Sequence, residues 1–102
     1  MNISLTQAKI IKKLYEAEPK DRTSAFITKE LEFNLDYVYR QFQQLKIYEL
    51  IQVKQAGRKK FYEPTDLGVD IANEKIEEEV KRRIHEQKSS EKYRKRREEN
   101  GN

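Results

Sequence analysis

The sequence predicts a mainly α fold with one small β-hairpin, an α+β domain carrying an extended C-terminal helix. Three observations predict it. Apolar residues recur at helical spacing in three successive segments of the first half, two alternating segments flank Ala56-Gly57, and a long charged stretch after Thr65 keeps one apolar stripe.

The first helix is capped by Ser4 or Thr6, with Gln7 three residues after Ser4 as in a capping box, and Ile10, Ile11, Leu14 and Ala17 fall on one face. Glu18-Pro19 stops it. After the polar loop Pro19-Lys20-Asp21-Arg22, Thr23 or Ser24 caps a second, short helix with Phe26, Ile27 and Leu31 at helical spacing. Phe33-Asn34 ends that helix, and Asn34 caps a third in which Val38, Phe42 and Leu45 step by four and three. Leu14, Leu31, Val38, Phe42 and Leu45 are the expected core. Asp36, Tyr37, Arg40, Gln43 and Gln44 are left on the opposite side of the third helix, with Tyr39 on its flank.

Leu50 to Gln55 alternates apolar and polar residues as a half-buried strand does, Ala56-Gly57 is a turn signal, and Lys60-Phe61-Tyr62-Glu63 alternates again before Pro64 closes the second strand. The turn puts Arg58, Lys59 and Lys60 at or near its tip. A two-stranded hairpin does not stabilise itself, so it must pack on the helices. Thr65 caps the last helix, with Glu77–Lys81, Glu78–Arg82 and Glu79–Arg83 spaced for i,i+4 ion pairs. Its stripe Ala72, Ile76, Val80, Ile84 steps by four each time and drifts by about 40° per step, which argues against a long parallel coiled coil. Two readings are open: the stripe meets a second copy over a short crossing, or the helix packs back on its own domain. Beyond Gln87 apolar residues nearly vanish, so residues 88–102 are expected to form a flexible basic tail.

Composition narrows the function classes. The chain has 102 residues, 35% hydrophobic and 39% charged, which leaves room for one small core with polar extensions. It contains no cysteine and one histidine, His85, so disulfides, thiolate nucleophiles and sulfur-ligated zinc are excluded and no cofactor is expected. No nucleophile–base pair or Gly-rich phosphate loop suggests an enzyme. No segment suits a membrane helix, and the start Met1-Asn2-Ile3-Ser4 is unlike a secretion signal, so the expected location is the cytoplasm. The net charge of +4 is concentrated in Arg58-Lys59-Lys60 and in Lys92-Tyr93-Arg94-Lys95-Arg96-Arg97, a distribution suited to a polyanion.

The polar face of the third helix has matching chemistry. Arg40 can fork onto guanine O6 and N7, Gln43 and Gln44 can each pair with adenine N6 and N7, and Tyr37 and Tyr39 can donate to phosphate oxygens. Asp36 can exclude wrong bases or favour the helix N-terminus. The segment Ile27 to Leu45 followed by Glu49-Leu50-Ile51 resembles the helix-turn-helix of winged-helix transcription regulators of the ArsR-like, MarR-like and PadR-like kind. The stretch Gly57 to Gly68 resembles their wing, including the strand-ending Tyr62 and Thr65-Asp66-Leu67-Gly68 opening the next helix. The sequence departs from the pattern at Glu32 and Glu49, where glycine is usual.

The resemblance covers residues 5 to about 72, and with the stripe and the tail it divides the chain into an expected winged-helix DNA-binding domain over residues 1–68, a dimerisation helix over 69–87 and the basic tail over 88–102. It implies the third helix in the major groove and Arg58, Lys59 and Lys60 on backbone or minor groove; with the stripe, the expectation is a homodimeric, sequence-specific regulator of double-stranded DNA on an inverted-repeat site. Ala72, Ile76, Val80 and Ile84 form the expected dimer contact. A protein-interaction module using Tyr37 and Tyr39, or an RNA-binding protein using the tail, are the alternatives. The high Lys, Glu and Ile content and the lack of Cys suit a small regulator from a thermophilic archaeon or its viruses.

Overall fold

Helix α1 spans Leu5–Glu16, α2 Ser24–Leu31 and α3 Leu35–Ile47; strands β1 (Ile51–Ala56) and β2 (Lys59–Pro64) form the hairpin, and α4 covers Asp66–Asn100. This computed structural model describes the backbone of residues 1–100 and the side chains of residues 1–86.

Each helix start is the one its capping residue dictates. Ser4 closes a reciprocal capping box, its Oγ accepting from Gln7 N–H at 3.1 Å while Gln7 Oε1 accepts from Ser4 N–H at 3.0 Å. Thr23 Oγ1 accepts from Phe26 N–H at 3.2 Å, and Asn34 Oδ1 accepts from Asp36 N–H at 2.8 Å. A 3-10 turn at Pro19–Asp21 links α1 to α2. Arg22, in sequence only one more polar loop residue, caps the C-terminal end of α1: its guanidinium donates to the carbonyls of Leu14 at 2.9 Å and Tyr15 at 3.3 Å. Its own carbonyl accepts from Tyr62 N–H at 2.7 Å, which ties β2 to the entry of α2.

The core is assembled from every element. Ile10, Ile11 and Leu14 of α1 meet Ile27, then Val38, Phe42 and Leu45 of α3, with Leu50, Ile51, Tyr62 and Ala72 completing it. Leu31 lies half-buried at its edge rather than inside it. The Tyr62 ring packs on Phe42 at 4.2 Å between centroids, and this contact fixes the otherwise marginal hairpin on α3. The strands pair antiparallel from Ile51 opposite Pro64 to Ala56 opposite Lys59, leaving Gly57-Arg58 as the loop, one residue later than the turn signal suggests. Gly57 has φ 63, in the left-handed region that only glycine enters freely.

Helix α4 differs from expectation in two respects. Its apolar stripe is not uniformly free: Ala72 is wholly buried in the domain's own core and Ile76 is half-buried against it, leaving Val80 and Ile84 exposed. The reason is that α4 packs along α1, with Lys12 Nζ donating to Asn73 Oδ1 at 3.0 Å, so the drifting stripe leaves the core only after Ile76. The boundary at 68/69 is therefore not where the core ends. The backbone helix also continues through Asn100 without a break at residue 87. The side chains of the expected basic tail lie outside the described residues. Among the described residues Arg82 pairs with Glu79 at 2.9 Å and approaches Glu86 at 4.0 Å, in place of the expected Glu78–Arg82 pair.

Both glutamates that stand where glycine is usual take the left-handed conformation, Glu32 with φ 56 and Glu49 with φ 60. At the end of α3 the Leu50 N–H donates to the Leu45 carbonyl at 2.9 Å and Glu49 N–H to the Lys46 carbonyl at 3.0 Å, so the helix closes in a Schellman motif despite lacking glycine. A left-handed L-residue costs about 1–2 kcal/mol, and glycine's freer unfolded chain returns about 0.4–1 kcal/mol of that. Glu49→Gly is thus expected to stabilise the domain by about 0.5–1 kcal/mol, read as a rise in melting temperature of a few degrees. A fall would show that the Glu49 side chain makes a contact worth more than its backbone strain.

Candidate nucleic-acid interface

Burial of Val38, Phe42 and Leu45 orients α3 so that Asp36, Arg40, Gln43 and Ile47 form a single exposed stripe, spaced by four, three and four residues. Arg40 and Gln43 enter no hydrogen bond or ion pair among the described residues, so their donor and acceptor atoms are available to a ligand. Asp36 sits in the first turn of α3, where a carboxylate favours the helix dipole.

The other candidates on α3 lie on its flanks. Tyr37 is half-buried, its ring edge-on to Phe33 at 5.2 Å. Tyr39 faces α2, where Ser24 Oγ donates to its hydroxyl at 3.3 Å. Gln44 faces α1 and accepts from Gln7 Nε2 at 2.8 Å. The sequence reading missed Ile47, which is 76% exposed although it is β-branched and apolar. The spacing from Arg40 and Gln43 was the signal that could have found it.

Tyr39 connects this stripe to a second feature. Arg58, Lys59 and Lys60 of the wing converge with Lys20, Thr23, Ser24, Tyr39 and Tyr62 around a groove of about 660 Å³. Lys20 comes from the 3-10 turn, and Thr23 and Ser24 open α2, whose N-terminal amides favour an anion. Four cationic side chains thus border one groove beside α3, a juxtaposition created by the Arg22–Tyr62 backbone link and absent from the linear sequence. Burial, and then the neighbouring Tyr39, push the Tyr62 hydroxyl above its ordinary pKa, so Tyr62 stays neutral at the floor of this basic groove. Lys54, farther along β1, is bound to Glu63 at 3.0 Å and serves the hairpin instead.

Among the described residues no group of three or more His, Cys, Asp or Glu is placed to hold a metal ion. No helix among them is long and apolar enough to cross a membrane.

A short helix, a turn and an exposed second helix, followed by a basic hairpin, define a winged helix-turn-helix. The fold is shared with MarR-family transcription regulators. The chain is similar to Lactococcus lactis ZitR, wild type in complex with DNA, at TM-score 0.67 and 23% identity, covering 90% of this chain and 63% of that one. It is similar to MepR, a transcription regulator of the Staphylococcus aureus multidrug efflux pump MepA, at TM-score 0.69 and 19% identity, covering 93% and 75%. It is also similar to a MarR/EmrR family transcriptional regulator from Acinetobacter sp. ADP1, at TM-score 0.67 and 21% identity, covering 81% and 59%. The chain spans about three fifths of the length of the ZitR structures. No protein-family model matches it, and no curated protein matches it in sequence.

Proposed function

We propose that this chain is a sequence-specific, double-stranded-DNA-binding transcriptional regulator that acts as a homodimer in the cytoplasm and carries no enzymatic activity. One observation carries the reading: the unengaged stripe Asp36, Arg40, Gln43 of α3 lies beside a groove bordered by Lys20, Arg58, Lys59 and Lys60. Such a surface separates two tasks, with the α3 stripe reading base edges in the major groove and the basic groove and wing holding phosphates. The ZitR structure in complex with DNA supports the use of this fold on DNA. The dimer rests on Val80 and Ile84, which leave about half of each side chain in water, 51% and 47% exposed. A two-fold dimer presents two copies of α3, so the bound site is an inverted repeat with half-site centres about 34–36 Å apart or a multiple of it.

Selection of bound sequences from a random duplex pool tests sequence reading and half-site symmetry together. On the best site Arg40→Ala is expected to cost about 1–3 kcal/mol and to relax discrimination at one base position. Arg58→Ala is expected to lower the slope of log affinity against log salt by about one unit or less while leaving base preference unchanged. Equal loss from Arg40→Ala on specific and random DNA would reduce that residue to a phosphate contact. Binding that ignores salt would replace the DNA reading with a protein partner on the tyrosine-bearing flank.

A further inference from the structure

A chain of hydrogen bonds of unambiguous polarity runs from the start of α1 to the flank of α3. Its first donor is a backbone N–H, that of Ser4, which can only donate, and it points at Gln7 Oε1 at 3.0 Å. That bond fixes the Gln7 carboxamide: its oxygen faces Ser4, so its Nε2 faces the other way. Gln7 is 7% exposed, which leaves it little freedom to turn, and its own N–H is held by Ser4 Oγ at 3.1 Å. Gln7 Nε2 then donates to Gln44 at 2.8 Å, and the atom of Gln44 that receives it must be Oε1. Gln44 itself is exposed, and its Nε2 makes no hydrogen bond among the described residues.

We infer that Gln7 is a positioning residue that sets the polarity of Gln44, so that α3 offers an N–H donor there and its ligand is an acceptor atom of the DNA. The acceptor is either a phosphate oxygen or a base acceptor in the major groove, O6 or N7 of guanine, N7 of adenine or O4 of thymine. This rests on the DNA-binding reading above and corrects one expectation. With its oxygen turned to Gln7, Gln44 has one lone pair left there and leads with its N–H, whereas Gln43 keeps its whole carboxamide for the paired contact to adenine N6 and N7. The two adjacent glutamines, equivalent in sequence, are thereby assigned different chemistry by a residue 37 positions away from Gln44.

The test is a change of polarity without a change of fold. Glutamate at position 7 keeps the capping box, since Ser-x-x-Glu closes it as well as Ser-x-x-Gln, but has no N–H to give. Gln44 must then turn and donate to the carboxylate, showing its Oε1 outward. In a random-pool selection the wild type is expected to disfavour cytosine, whose groove edge offers only a donor, at the position that Gln44 meets, and Gln7→Glu to gain cytosine at that same position. On the wild-type site Gln7→Glu should bind about three- to tenfold more weakly, the range of one misdirected hydrogen bond.

If the acceptor is a phosphate, the base preference stays the same, the three- to tenfold loss remains, and replacing one phosphate by an uncharged methylphosphonate abolishes the difference between the two proteins. Gln44→Met, a surface change that leaves Gln7 and the capping box in place, should lose the discrimination against cytosine or the phosphate contact without acquiring a cytosine preference. Binding by Gln7→Glu and Gln44→Met within twofold of the wild type, with unchanged base preferences, would overturn the inference and leave the DNA reading standing. A wild-type chain that binds no duplex at all would overturn both.

Discussion

An alanine at position 68 is expected to lower the melting temperature by about 10–20 °C, although alanine is the better helix former by about 1 kcal/mol. Gly68 lies in the first turn of α4, and a Cβ built there falls on the backbone carbonyl of Leu50. That carbonyl has no room to retreat. It already accepts from Thr65 N–H at 3.0 Å, while Thr65 Oγ1 donates to the Glu49 carbonyl at 2.8 Å and accepts from Gly68 N–H at 3.0 Å. The Leu50 side chain is wholly buried, so moving its backbone would disturb the core on the other side. Overpacking a rigid site costs about 1–3 kcal/mol and occasionally more, and here the obstructing atom is backbone held in a hydrogen-bonded corner, so about 3 kcal/mol is the expected loss. Calorimetry of the purified variant measures it. A melting temperature equal to or above that of the wild type would mean that α4 slides away from β1 without penalty, and the docking of α4 would then contribute little to stability.

Val80→Glu is expected to give a folded monomer that loses about 10²- to 10⁴-fold in affinity for a full inverted-repeat site while still contacting a single half-site. Burying a large aliphatic side chain contributes about 1.5–3 kcal/mol, and a charge in the same place would have to be desolvated unpaired. The fold itself should survive, because Val80 is 51% exposed and the core residues Leu14, Val38, Phe42 and Leu45 lie elsewhere. Sedimentation equilibrium reads the assembly and titration of full and half sites reads the affinity. A wild type that sediments as a monomer at tens of micromolar would sink the homodimer. A Val80→Glu variant that stays dimeric would move the interface to another face, with α1 next in line because Tyr15 projects from it 52% exposed.

Much of this molecule was decided by local sequence. The caps Ser4, Thr23, Asn34 and Thr65 each satisfy an amide within three residues, so their choice of helix start needs no distant partner. The apolar spacing of α3 likewise settled which side would be buried, and with it that Asp36, Arg40 and Gln43 would face outward. Tertiary structure decided what depends on who lies across the gap. Ala72 and Ile76 read as the start of a free stripe, and only the packing of α4 along α1 turned them inward. Lys20 and the wing lysines are distant in sequence and share a groove because Arg22 accepts the Tyr62 N–H. Gly68 looked like a helix-opening signature, but its physical role is to let α4 approach the Leu50 carbonyl. Gln43 and Gln44 carry the same carboxamide, and only the long-range bond from Gln7 fixes the orientation of one of them. Periodicity and capping act over one or two turns, so a sequence displays them directly. Packing partners and hydrogen-bond polarity are properties of pairs brought together by the fold, and these only the three-dimensional structure could assign.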